Sequence, residues 1–284
     1  MTHRVVVSAA LAACVLMPAL AADETKTILL SDGVRMAYVD RGKGDPVLVF
    51  IHCGNCQKGI WSETLEAFSG THRVIAMDLP GHGASTWKPE RMTIPGLGAA
   101  VAELAEHLGL KKIVLVGNSL GGPTALDAAR RLGKERVTGV VAVDTLQNVE
   151  QVWPEESWRK VLEGYRQDFQ GTCTGFMLGL VPASAPESVR ARIDKETCDN
   201  DPKAVLVLME TVRSFDQVAA LRDAGVPVHA INSNAFPTAV EVNRKHAPGF
   251  GVTLMEGVGH YPQVERPEEF QSNLRRVVKE LGAR

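Results

Sequence analysis

The sequence predicts an α/β fold with a mostly parallel central sheet, helices on both faces and a helical insertion. Short, continuously apolar runs, such as residues 47–51 and 113–116, are typical of strands that are covered on both faces. Between them, segments such as residues 97–108 carry apolar residues at helical spacing. This alternation stops at about residues 147–213, where helical stretches occur without a convincing buried strand, and it resumes at residue 226. Alternating strands and helices indicate parallel pairing, which places functional residues at the carboxyl ends of the strands.

The length and composition of the chain suit one large domain. The 284 residues are 45% hydrophobic, which is ample for a buried core. Because the insertion interrupts the sheet, residues 23–284 are more economically read as one domain with a cap at about residues 147–213 than as two domains. The net charge of −2 gives no electrostatic reason to expect nucleic acid or an anionic membrane surface as a partner. A small molecule is the expected partner, and nothing in the sequence specifies an oligomeric state.

Residues 1–22 are predicted to be a signal peptide. A short basic start is followed by an apolar stretch at residues 5–20 and by small residues, which favours cleavage after Ala21 or Ala22. The protein is therefore expected to be exported, to a periplasm or the medium. The apolar stretch is short and broken by Pro18, so a membrane span is disfavoured. The alternative is a lipoprotein signal ending at Cys14, although apolar residues follow it where a polar tether is usual.

Four cysteines remain after signal cleavage. In an oxidising compartment Cys173 and Cys198 are predicted to form a disulfide, which would stabilise the fold by roughly 3 kcal/mol through loop closure. Two free, buried thiols are the alternative for this pair. Cys53 and Cys56 form a Cys-x-x-Cys sequence that suits either a local disulfide or a dithiol redox centre.

The predicted elements follow one another as a β-hairpin and then strand-helix units. The first two strands are joined through Asp32-Gly33, a hairpin signal. Strands are predicted at residues 25–30, 34–40, 47–51, 73–77, 113–116, 137–143, 226–231 and 251–255. Helices are predicted at residues 61–68, 97–108, 124–132, 204–212 and 267–281.

A serine stands between the strand at residues 113–116 and the helix at residues 124–132. The turn reads Gly117-Asn-Ser119-Leu-Gly121, and glycines two before and two after the serine allow the strand and helix to approach closely. The serine hydroxyl then projects from the sheet beside the free N–H groups of the helix. Ser119 is therefore the candidate nucleophile.

A nucleophilic serine needs a base from elsewhere in the fold. His260 lies in a glycine-rich loop, Glu256-Gly-Val-Gly-His260, which follows the last predicted strand. A loop at the carboxyl end of a strand is well placed to reach a serine on a central strand.

Four motifs in this order resemble those of the α/β-hydrolase superfamily, specifically its capped, esterase-like members. They are His52-Cys-Gly-Asn55, Asp78-Leu-Pro-Gly-His-Gly-Ala-Ser85, Gly117-Asn-Ser-Leu-Gly121 and Gly257-Val-Gly-His260. The resemblance covers nearly all of the mature chain and implies the α/β-hydrolase fold. The Asp78–Ser85 loop is expected to shape the rim of the site rather than to perform chemistry, and a position of His82 facing the substrate is the alternative.

The resemblance implies a role for several residues. Ser119 would be the nucleophile, His260 the general base, and the backbone N–H groups of Leu120 and Gly54 the oxyanion hole. One departure is Cys53, which stands where such families usually carry glycine after the histidine. It alters the loop without removing the backbone donor.

The second departure concerns the acid that orients the histidine. Its usual place is the loop after the seventh strand, where this chain has Asn234 and no carboxylate. An asparagine in place of the triad aspartate lowered turnover about 10⁴-fold in a serine protease. Asp144, at the end of the sixth strand, is the best substitute, because some members of the family carry the acid there. Glu241 and Asn234 itself remain alternatives.

The resemblance implies an exported serine hydrolase that acts on a carboxylic ester or a similar acyl substrate, without a metal or an organic cofactor. His52, Asn118 and Trp153 are candidate substrate-binding residues. Lactonase, C–C hydrolase and cofactor-free peroxidase activities use the same constellation and remain alternatives. Two alternatives from other classes are a thiol-redox protein, from Cys53 and Cys56, and a ligand-binding pseudoenzyme, from Asn234.

Overall fold

The structure, a computed structural model, describes residues 24–282. The predicted signal peptide, which includes Cys14, lies outside these residues. No helix in the described part of the chain is long and apolar enough to cross a membrane.

Eight strands form one sheet, as the sequence predicts. They are β1 (Lys26–Leu29), β2 (Arg35–Arg41), β3 (Val47–Ile51), β4 (Val74–Met77), β5 (Ile113–Asn118), β6 (Val137–Val143), β7 (Val228–Ser233) and β8 (Gly251–Met255). Their order in the sheet is β1-β2-β4-β3-β5-β6-β7-β8. Strand β2 pairs antiparallel with both β1 and β4, and the other neighbours pair in parallel. The predicted α/β fold with a mostly parallel sheet is confirmed.

Eleven α-helices lie within the described residues. They are α1 (Ser62–Ser69), α2 (Ile94–His107), α3 (Gly121–Leu132), α4 (Glu155–Gln167), α5 (Phe169–Gly179), α6 (Glu187–Glu196), α7 (Pro202–Val212), α8 (Gln217–Asp223), α9 (Val240–His246), α10 (Pro262–Glu265) and α11 (Pro267–Gly282). Helices α8, α9 and α10 were not predicted. Each has at most seven residues, which is too short to show a helical repeat of apolar positions.

Helices cover both faces of the sheet. Along β3, Val49 belongs to one buried apolar cluster and Phe50 to another, because successive side chains of a strand point to opposite faces. Leu97 of α2 lies in the cluster that contains Val49, whereas Leu65 of α1 and Phe270 of α11 lie in the cluster that contains Phe50. The two clusters form the core and hold the central strands rigidly.

The helical segment between β6 and β7 is joined to the sheet by backbone hydrogen bonds. The N–H of Cys198 donates to the carbonyl of Asn55 at 2.7 Å, and the N–H of His260 donates to the carbonyl of Leu180 at 3.2 Å. Cys56 and Thr197 also form an isolated antiparallel bridge. Helices α4 to α7 are therefore anchored to the loops that follow β3 and β8.

Candidate active site

Ser119 occupies the tight turn between β5 and α3. Its φ is +54°, a left-handed conformation that is strained for a residue with a side chain. The two glycines of the turn make it possible: a Cβ on Gly117 would meet the carbonyl of Gly121, and one on Gly121 would meet the carbonyl of Ile51. The serine therefore stands at the carboxyl end of the sheet, at the start of helix α3.

His260 and Asp144 form a hydrogen-bonded pair. His260 Nδ1 lies 2.7 Å from Asp144 Oδ2. The other carboxylate oxygen, Oδ1, accepts hydrogen bonds from the N–H of Ser233 at 2.9 Å and from its hydroxyl at 2.8 Å. Asp144 is buried, so these contacts hold the carboxylate in one orientation. With the Nδ1 proton directed to Asp144, His260 Nε2 is the nitrogen available for chemistry.

Two neighbouring loops present the backbone groups expected of an oxyanion hole. Gly54 and Leu120 line the same cavity as Ser119 and His260. A Cβ on Gly54 would lie 3.7 Å from the Leu120 side chain, so the two loops are in close contact. The structure therefore brings the two predicted oxyanion-hole residues together on the cavity that contains Ser119.

The cavity over Ser119 has a volume of about 330 Å³. Most of its wall is apolar and comes from helices α4, α5 and α7 and the segments that flank them. These residues include Trp153, Trp158, Phe176, Met177, Leu180, Val205, Leu208, Met209, Val212 and Phe215. Trp153, a predicted substrate-binding residue, lies in this wall with half of its surface exposed, and its ring meets Trp158 edge-on at 5.7 Å. A cavity of this kind suits an apolar group next to the reacting carbonyl.

The family model of the Alpha/beta hydrolase family matches residues 48–271, which is most of the chain. The chain belongs to the alpha/beta hydrolase family.

Several proteins of known activity are similar to this alpha/beta hydrolase. Pimeloyl-[acyl-carrier protein] methyl ester esterase from Nitrosomonas europaea is 26% identical over 249 residues, with 83% of this chain and 96% of that protein covered. 3-oxoadipate enol-lactonase 2 from Acinetobacter baylyi is 23% identical, with 90% and 98% covered. A third relative is the dihydrolipoyllysine-residue acetyltransferase component of the acetoin cleaving system from Cupriavidus necator. It is 32% identical, but the match spans only 34% of this chain and 26% of that protein.

A solved structure has the same fold. The esterase from Exiguobacterium antarcticum superposes with a TM-score of 0.81 at 19% identity, covering 90% of this alpha/beta hydrolase and all of the esterase chain. This likeness supports the fold alone.

The other two candidate partners of His260, Asn234 and Glu241, have their side-chain contacts elsewhere. The side-chain oxygen of Asn234 accepts a hydrogen bond from the N–H of Gly257 at 3.2 Å. Glu241 is exposed on helix α9 and pairs with Arg244 at 3.0 Å. Of the three residues considered from the sequence as partners of the histidine, Asp144 is the one that the structure places against it.

The geometry argues against the predicted substrate contacts of His52 and Asn118. Both are fully buried and neither lines the cavity. The amide of Asn118 donates to the carbonyls of Val143 at 2.9 Å and His260 at 3.1 Å. His52 Nε2 accepts from the N–H of Leu79 at 2.9 Å, and its Nδ1 lies 2.7 Å from the carbonyl of Cys53. Both side chains order the loops of the site, and residue type alone does not separate such a position from a substrate contact.

Two residues that hold the acid and the loop of the histidine were missed from the sequence. Ser233 binds the carboxylate of Asp144, and no sequence signal points to it. Glu265 accepts from the N–H of Gly259 at 2.7 Å and from the N–H of Tyr261 at 2.9 Å, on either side of His260. Burial raises the pKa of its carboxyl group, although these N–H groups favour the charged form. An acid five residues after the histidine and two residues before Pro267 is the signal that would have found it.

The four cysteines of the described residues lie in two close pairs. The sulfur atoms of Cys53 and Cys56 lie within bonding distance, with Cα atoms 5.3 Å apart. Those of Cys173 and Cys198 do so as well, with Cα atoms 5.8 Å apart. Within residues 24–282, no cluster of histidine, cysteine and acidic side chains is arranged to hold a metal ion.

Proposed function

We propose that this alpha/beta hydrolase is an exported serine hydrolase that cleaves carboxylic esters or similar acyl compounds. The observation that carries the proposal is the 2.7 Å contact between His260 Nδ1 and buried Asp144, with Ser119 on the same cavity. The similarity to a methyl ester esterase over most of both chains supports the same reaction class.

The proposed reaction uses these groups in turn. His260 Nε2 takes the proton of Ser119 as its Oγ attacks the ester carbonyl, and Asp144 stabilises the resulting imidazolium. The N–H groups of Leu120 and Gly54 hold the oxyanion. His260 then protonates the departing alcohol, and water releases the acid from the acyl-enzyme. The helical segment at residues 147–213 acts as a cap whose apolar wall holds the group beside the carbonyl.

A labelling experiment tests the proposal. A fluorophosphonate probe is expected to label the folded protein on Ser119, and the protein is expected to hydrolyse 4-nitrophenyl acetate and butyrate. The Ser119→Ala variant should lose both properties while it keeps the circular dichroism spectrum of the natural protein. Absence of labelling in the folded natural protein would favour a ligand-binding pseudoenzyme.

Lactone hydrolysis is a second candidate, favoured by the similarity to an enol-lactonase over 90% of the chain. It uses the same nucleophile and base on a cyclic ester. Comparing kcat/KM for γ-butyrolactone and δ-valerolactone with that for methyl butanoate separates the two, because a lactonase prefers the cyclic esters after correction for their hydroxide-catalysed rates.

A thiol-redox function is disfavoured. Dithiol exchange requires an accessible sulfur, whereas Cys53 and Cys56 are both buried in the loop that carries Gly54. Reduction of insulin that survives Ser119→Ala and disappears in Cys56→Ser would revive it.

Export and disulfide formation belong to the same proposal. The protein isolated from its natural host is expected to begin near residue 22 or 23. Its non-reducing digest should contain one peptide pair joined through Cys173 and Cys198, and Cys53 and Cys56 should resist thiol alkylation. An intact N-terminus and four alkylated cysteines in the natively produced protein would refute both parts.

A further inference from the structure

Two buried histidines lie side by side at the cavity, and they differ in whether the Nε2 atom has a hydrogen-bond partner. The ring centres of His52 and His82 are 5.0 Å apart. Both ring nitrogens of His52 have partners in the surrounding loops. His82 Nδ1 lies 3.0 Å from the carbonyl of Pro80, but its Nε2 has no hydrogen-bond partner among residues 24–282. Unlike His52, His82 lines the cavity that contains Ser119.

The contact with Pro80 decides which nitrogen of His82 carries the proton. A carbonyl oxygen only accepts hydrogen bonds, so Nδ1 is the donor of this pair. Burial lowers the pKa of His82, which keeps the ring neutral at pH 7. In a neutral ring with a proton on Nδ1, Nε2 is an acceptor. A buried acceptor without a donor is unfavourable, and it points to a group supplied from outside the chain.

Asn55 provides a second acceptor on the same cavity. Its side-chain nitrogen donates to the hydroxyl of Tyr165 at 2.8 Å, whereas its Oδ1 is buried and has no partner in the described part of the chain. Asn55 lines the cavity and directly follows Gly54, the proposed oxyanion donor. The second acceptor therefore belongs to a residue of the same cavity wall as the proposed oxyanion donor.

We propose that the substrate of this enzyme carries neutral hydrogen-bond donors, hydroxyl or amide N–H groups, within a few atoms of the scissile carbonyl, and that His82 Nε2 and Asn55 Oδ1 each accept one of them. The rest of the group beside the carbonyl is apolar, to match the remaining wall of the cavity. This inference rests on the proposed serine hydrolase function and narrows its substrate class. His82 and Asn55 are then residues that determine specificity, whereas His52 only orders its loop.

Matched pairs of methyl esters test the inference on the natural protein. In each pair a donor is replaced by an apolar group of similar size. The pairs are methyl 2-hydroxybutanoate with methyl 2-methylbutanoate, methyl 3-hydroxybutanoate with methyl 3-methylbutanoate, and methyl N-acetylglycinate with methyl 4-oxopentanoate. Release of acid is followed by pH-stat titration, and each kcat/KM is divided by the rate constant for hydroxide-catalysed hydrolysis of the same ester.

At least one donor-bearing ester is expected to be preferred by about tenfold or more, because its apolar counterpart leaves the buried acceptor that the donor would meet unpaired. The first two pairs report a hydroxyl and the third an amide N–H, so the preferred pair identifies the donor. Ratios within twofold of one in all three pairs would overturn the inference. If fluorophosphonate labelling of Ser119 also failed, the proposed function would fall with it; labelling without discrimination refutes the inference alone.

Two variants assign the preference to the named atoms. His82→Phe removes Nε2 but keeps an aromatic ring, and Asn55→Leu removes Oδ1 at similar size. The variant that lacks the acceptor used by the preferred ester is expected to bring that ratio towards one. Phe176→Leu, which changes the apolar wall of the same cavity, should change both esters of a pair alike and keep the ratio. If either acceptor variant folds and keeps the full preference, that residue does not bind the donor, and if both do, the inference is wrong.

Discussion

At the scale of single residues, the candidate chemistry depends on the hydrogen bonds that orient the carboxylate of Asp144. Asp144 directs one oxygen to His260 and the other to Ser233, so neither oxygen is free to rotate away. The residue has a φ of +43°, an uncommon conformation for aspartate. A strained backbone beside the histidine is consistent with a position selected for function rather than for stability.

We expect Asp144→Asn to lower kcat by about 10³ to 10⁴ with little change in KM, as in the serine-protease precedent. The amide NH₂ would donate to Nδ1 of His260, which places the histidine proton on Nε2. A protonated Nε2 cannot accept the proton of the serine hydroxyl. Ester hydrolysis under saturating substrate measures the effect. Glu241→Gln is the matched control, since it makes the same chemical change on an exposed helix and should leave kcat unchanged. A loss below tenfold in Asp144→Asn would remove this residue from the triad.

At the scale of elements, the loop between β8 and α10 is held through three consecutive backbone N–H groups. Glu265 accepts from the first and the third, and the carbonyl of Leu180 accepts from the N–H of His260 itself. Leu180 follows helix α5, so the helical segment contacts the loop that carries His260 directly, as well as lining the cavity. The docking of this segment and the position of His260 are therefore coupled.

We expect Glu265→Gln to lower kcat by about 10- to 100-fold while KM stays within about twofold, because glutamine has one acceptor oxygen for two N–H groups and the histidine shifts. Steady-state kinetics on 4-nitrophenyl butyrate separate the two constants. Glu256→Gln, an exposed acid at the start of the same loop, is the control and should behave as the natural protein. A rise in KM with unchanged kcat would show that Glu265 does not position the histidine.

At the scale of the whole molecule, buried histidines make the free energy of unfolding depend on pH. Burial and the neighbouring His82 lower the pKa of His52 to about 3, and burial also lowers the pKa of His82. Both rings regain an ordinary pKa near 6.5 when the chain unfolds. Below about pH 6.5 the unfolded chain therefore binds more protons than the folded protein, and the free energy of unfolding falls as the pH is lowered.

Between pH 7 and pH 5 we expect each histidine that stays neutral in the fold to reduce the free energy of unfolding by about 2 kcal/mol. Urea unfolding of the natural protein and of His82→Phe at both pH values measures it. The raised pKa of Glu265 acts in the opposite direction, but it is common to both proteins and cancels in the comparison. The variant should show the smaller loss of stability on acidification. An equal loss in both would contradict a neutral, buried His82.

The sequence by itself determined the sheet, the order of its strands along the chain and the two residues with the plainest signals. Continuous apolar runs and helical spacing depend on neighbours within a few residues, so β6 and β8 have the predicted bounds. Ser119 and His260 each lie in a short motif with glycines that a turn requires.

Only the tertiary structure decided which acid meets His260, which polar residues face the cavity and which order the loops. These properties depend on residues far apart in the chain: Asp144 and His260 are 116 positions apart, and Ser233 is 89 from Asp144. His52 and His82 belong to equally plain motifs, yet both nitrogens of His52 are paired, whereas Nε2 of His82 has no partner within the described residues. That difference arises from the packing of two loops against the sheet, which a local sequence motif does not predict.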